Sequence, residues 1–73
     1  MPLPRKATAY SQDVIARMEA ERLASVRATA QRVVAINDAP AWAEIELAHH
    51  DAVVRGDAAV ADIFADALAK RAS

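Results

Sequence analysis

From Ile15 onward, apolar residues return at intervals of three and four, the spacing of an α-helix with one buried side. The first run, QDVIARMEAERLASVRATAQRVVAI, has neither glycine nor proline and sets Ile15, Met18, Leu23, Val26, Ala30, Val33 and Val34 on one arc. Its start is marked by Ser11, a side chain able to cap first-turn amides, with Asp13 near the positive end of the helix dipole. Tyr10 and Ile15 then stand where a hydrophobic staple would place its two halves. The stop is Asn37, a residue type that tolerates left-handed backbone, followed by Asp38 as a cap and Pro40 inside the first turn of the next helix.

The second run carries Trp42, Ile45 and Val53 on its apolar arc and ends where Gly56 permits a reversal. Asp57 can cap the third run, whose apolar face is Val60, Ile63, Phe64, Ala67 and Leu68, with Asp62, Asp66 and Ala69 away from it. Short connections make neighbouring helices antiparallel. The pattern therefore predicts an all-α, three-helix antiparallel arrangement with helices at about 12–36, 40–55 and 58–71 in one small domain of residues 11–73. Residues 1–10, with Pro2 and Pro4 near the start, read as an extended N-terminal arm.

Length turns this pattern into a prediction about surfaces. At about 1.5 Å per residue the first helix is roughly 37 Å long and the second about 24 Å. Counted back from the turn at Asn37 and Asp38, the segment from Ser11 to about Ala20 has no neighbour within the chain, yet it carries Val14, Ile15 and Met18. Apolar residues on an unsupported helical extension are an interaction surface, and Tyr10 joins the arm to it.

Composition sharpens the picture. Of 40 hydrophobic residues among 73, 20 are alanine, so large core-forming side chains are few and the stability expected of such a chain is only about 3–5 kcal/mol. Without cysteine, no disulfide can supplement that core. The net charge of −1 conceals an asymmetry, with six Arg and Lys against three acids through Ile36 and three against seven from Asn37. Basic and acidic halves suit an antiparallel bundle, or contact between copies, better than they suit nucleic acid. Arg17, Arg22, Arg27 and Arg32, five residues apart, spiral around the helix and form no stripe for phosphates. Ala16, Ala20, Ala24 and Ala28 repeat every four residues and could admit a close helix. A helix-turn-helix use of the last two helices would turn Asp62 and Asp66 toward DNA. No run approaches a membrane span and no secretory leader pattern opens the chain, so a cytoplasmic protein is expected.

Candidate chemistry is confined to WAEIELAHH, where Glu46 precedes His49 by three residues, as in carboxylate-bridged di-metal bundles. Glu19 could supply the opposing carboxylate, but it lies about 27 Å from the turn and Glu46 about 12 Å, a mismatch far larger than a metal bond of about 2 Å. Glu46 and His49 are thus expected as a polar pair at the helix interface, with Arg27 neutralising the acid; no metal or cofactor is expected. A Gly-rich phosphate loop and a nucleophile triad are missing, and so small a core leaves little room for a pocket of several hundred Å³. The expected function is that of a small non-enzymatic interaction or accessory protein: a regulator, inhibitor or subunit of a larger complex. It would dock through the first helix and the arm, with Tyr10, Val14, Ile15 and Met18 as contacts to a protein partner or a second copy. The alternative is a dimeric metal-binding helical protein using Glu46 and His49.

Overall fold

The computed structural model describes the backbone of residues 3–72 and the side chains of residues 12–71. The chain forms α1 (Leu3–Ile36), α2 (Ala39–Arg55) and α3 (Ala58–Ala72), in an antiparallel three-helix arrangement. The expected starts and ends of α2 and α3, and the end of α1, fall within one residue of these bounds. At its other end α1 takes in Leu3–Tyr10, where the sequence pattern expects an extended arm, and Ser11 lies inside the helix. Pro4 falls in the first turn, where a missing N–H removes no intrahelical bond, so it does not stop the helix. The molecule measures 56 × 23 × 18 Å, and its long dimension is set by α1 alone, whose 34 residues extend about 51 Å.

Both turns are built by the residues that mark them in the sequence. Asn37 adopts φ 55°, and its N–H donates to the Val33 carbonyl at 2.8 Å, closing α1. Asp38 then accepts from the Ala41 N–H at 3.0 Å, and Pro40 stands in the first turn of α2. A bond that no local sequence signal announces ties this corner to the core: the Trp42 indole N–H donates to the Asn37 side-chain oxygen at 2.8 Å. At the far corner Gly56 takes φ 75°, with its N–H bonded to the end of α2, and Asp57 accepts from the Val60 N–H at 3.4 Å.

The core is Ala30 and Val33 of α1, Trp42, Ile45 and Ala52 of α2, and Val60, Phe64 and Ala67 of α3. Leu23, Val26, Val34, Ile63 and Leu68 pack around it half-buried. One expected member is displaced: Val53 is exposed and Ala52 is fully buried in its place. Ala52 is seven residues, almost two whole turns, beyond Ile45 and so returns to the same side, whereas Val53 is a further 100° around. With alanine at three of eight core positions, the helices approach closely but remove little apolar area from water.

Candidate interaction surface

The boundary between the supported and unsupported parts of α1 is an ion-paired corner. The Arg22 guanidinium donates to Asp57 in the α2–α3 turn at 2.8 Å and to Glu19, one turn earlier in α1, at 2.7 and 3.1 Å. These bonds to Glu19 and then Asp57 raise the pKa of Arg22, while Arg22 holds the Asp57 carboxyl below its ordinary value against the opposing effect of burial. Asp57 thus has two tasks, capping α3 and fixing the height at which α2 and α3 end against α1.

Between Gln12 and Glu21, on the far side of that corner, no side chain is buried. Ile15 is 63% exposed and Met18 60% exposed, in line with an apolar extension beyond the bundle. Val14 is half-buried. Tyr10, the fourth residue expected at this surface, and its staple with Ile15 lie outside the described side chains. The alanines at 16, 20, 24 and 28 are all exposed.

The Glu46 and His49 pair resolves differently from the expected contact. Glu46 is exposed and bonded to Arg71 of α3 at 3.2 Å, with no part played by Arg27. The same Arg71 lies over the Trp42 ring, 5.5 Å from its centroid. Trp42 and Glu46 are one turn apart on the side of α2 that meets α3, so the cation that reaches the ring also reaches the carboxylate. Arg27 instead borders an open groove of about 340 Å³ between α1 and α3, floored by Ala30, Val34, Ile63 and Ala67 and rimmed by Gln31, Asp66 and Lys70. That volume exceeds what so small a core would enclose, because it is a surface furrow between two alanine-rich helices. His49 is half-buried, and no three His, Cys, Asp or Glu side chains gather into a metal-holding group among the described residues. Nor is any helix of the described residues long and apolar enough to cross a membrane. The chain matches no protein-family model, no curated protein and no solved structure.

Proposed function

We propose that this chain is a small non-enzymatic interaction protein that docks through the N-terminal part of α1. The observation that carries this reading is the exposure of Ile15 and Met18 on the stretch of α1 that continues past the Arg22–Asp57 corner. Two large apolar side chains one turn apart make a helix-on-helix or helix-in-groove anchor, and burying them in a partner removes them from water. The small alanine-rich core supports the same reading, because a partner adds apolar burial that the chain by itself lacks.

Site-specific photo-crosslinking tests it. A photoreactive residue replacing Ile15 is expected to give discrete protein adducts in cells, and the same residue at exposed Ala65 of α3 to give none. Adding Met18→Asp should abolish the adducts. If position 15 yields no more product than position 65, this surface docks nothing and the reading is withdrawn.

A further inference from the structure

Five of the large exposed apolar side chains belong to one face. Besides Ile15 and Met18 they are Ile36 at the end of α1, 51% exposed, and Leu47 and Val54 of α2, 72% and 70% exposed. Met18 and Ile36 are eighteen residues apart, five helical turns, and therefore share one line along α1. That line lies about half a turn around α1 from Arg27, which meets α3 across the groove. Leu47 and Val54 are seven residues apart, about two turns, on the side of α2 turned away from buried Ile45 and Ala52. The α1–α2 pair thus has α3 packed on one side and these side chains on the other.

From this geometry we infer that the occupant of the face is a second copy of the same chain, antiparallel to the first about a two-fold axis. The proposal extends the docking reading above and rests on it for Ile15 and Met18. Its warrant is self-complementarity. Measured along the helices from the Asn37–Asp38 turn, Ile36 stands at about 2 Å, Leu47 at about 14 Å, Val54 at about 25 Å and Ile15 at about 34 Å. A two-fold axis about 18 Å from the turn, crossing α1 near Ser25, brings Ile15 level with Ile36 of the second copy. The same axis sets Leu47 beside the other copy's Val54. One register therefore serves both helices, although nothing in the folding of a single chain requires it.

Charge agrees with the pairing. Glu21 and Arg32, both exposed, are eleven residues apart, about three turns, and so flank the seam on the same side. Antiparallel copies bring Glu21 of each to within about 3 Å in height of Arg32 of the other, whereas parallel copies would set like charges together. Asp51 is the one adverse group. It lies nearest the axis on α2 and faces its own symmetry mate, with Arg55 at 2.9 Å to offset the repulsion.

The absence of native cysteine makes the register directly testable. Ile15→Cys and Ile36→Cys are made as separate chains, mixed and mildly oxidised. The mixed disulfide is expected to exceed either same-site disulfide at least about fivefold, because only level positions reach the required separation of roughly 4.4–6.8 Å between α-carbons. A random mixture of the three products, or none, overturns the register. In sedimentation of the unmodified chain, Leu47→Asp should weaken self-association at least about tenfold with helicity intact, while Asp51→Asn should strengthen it. Unchanged association in Leu47→Asp removes α2 from the interface and overturns the proposal. A chain monomeric at all concentrations that still crosslinks from position 15 to other proteins also overturns it, leaving the docking reading in place; no crosslink from position 15 ends both.

Discussion

The two halves of α1 have nearly the same composition and opposite surroundings. From Leu23 to Ile36 the helix buries Ala30 and Val33 against α2 and α3, and from Gln12 to Glu21 it carries Ile15 and Met18 in the open. Both halves have an apolar stripe, so amphipathicity does not distinguish them. What distinguishes them is the length of the partners: α2 has 17 residues and α3 has 15, while α1 has 34. An apolar stripe becomes core only over the span where another helix lies opposite it, and beyond that span the same pattern becomes a surface.

The contrast can be broken most forcefully at Ile45. Its side chain is 1% exposed, and Ile45→Ala is expected to destabilise the chain by about 2–5 kcal/mol, through lost apolar burial and the cavity left behind. Against a total of about 3–5 kcal/mol for a domain of this size, that is enough to unfold much of the population at 25 °C. Ile15→Ala, by comparison, should leave unfolding of the isolated chain within about 0.5 kcal/mol of the parent. Urea melts followed by far-UV circular dichroism, at concentrations too low for association, measure both. Equal losses would mean that the first half of α1 has a partner within the chain after all.

An effect of intermediate size is expected at the turn that sets the two heights. Asn37 holds φ 55° and accepts the Trp42 indole N–H. Asn37→Ala puts a side chain without local hydrogen-bonding capacity into left-handed backbone and leaves a part-buried donor without its acceptor, for an expected loss of about 1–3 kcal/mol. Asn37→Gly relieves the backbone but not the indole, so it should lie between the parent and Asn37→Ala in the same melts. If Asn37→Gly were as stable as the parent, the indole bond would contribute nothing measurable.

This corner also marks how much of the fold was legible in the sequence. Cap residues act over three or four positions, and the signals at Asn37, Asp38, Pro40, Gly56 and Asp57 all stand in the structure where the local pattern puts them. The relative lengths of the helices followed from those stops, and with them the exposure of Ile15 and Met18. Pairing across helices was less legible, because it depends on how each helix is rotated against its neighbours. Arg71 rather than Arg27 meets Glu46 because α3 lies beside the Trp42 edge of α2, and a wheel drawn for two helices cannot include the third. The exchange of Val53 for Ala52 has the same origin: a 100° step decides burial, and the larger side chain does not always win. The start of α1 was obscured by Pro4, since proline disfavours a helix interior and suits its first turn, and the residue type alone does not say which applies.

The smallest effect belongs to the pair that divides the two halves of α1. Asp57 is held below its ordinary pKa first by the bond from Arg22, while burial pushes the other way. A group whose pKa is lower in the folded chain than in the unfolded one adds stability above the unfolded value, and that stability is lost as pH falls through the folded value. The contribution should therefore be complete at neutral pH, decline below the ordinary carboxylate range near 3.8, and vanish in strong acid. Asp57→Asn keeps a good capping side chain for α3 but cannot carry the charge that meets Arg22. Thermal melts of the two chains should differ at neutral pH by less than either turn or core substitution, and the difference should close on acidification. A gap that persists undiminished in strong acid would show that Asp57 acts as a cap alone, and the height at which α2 and α3 end against α1 would then be set by packing rather than by charge.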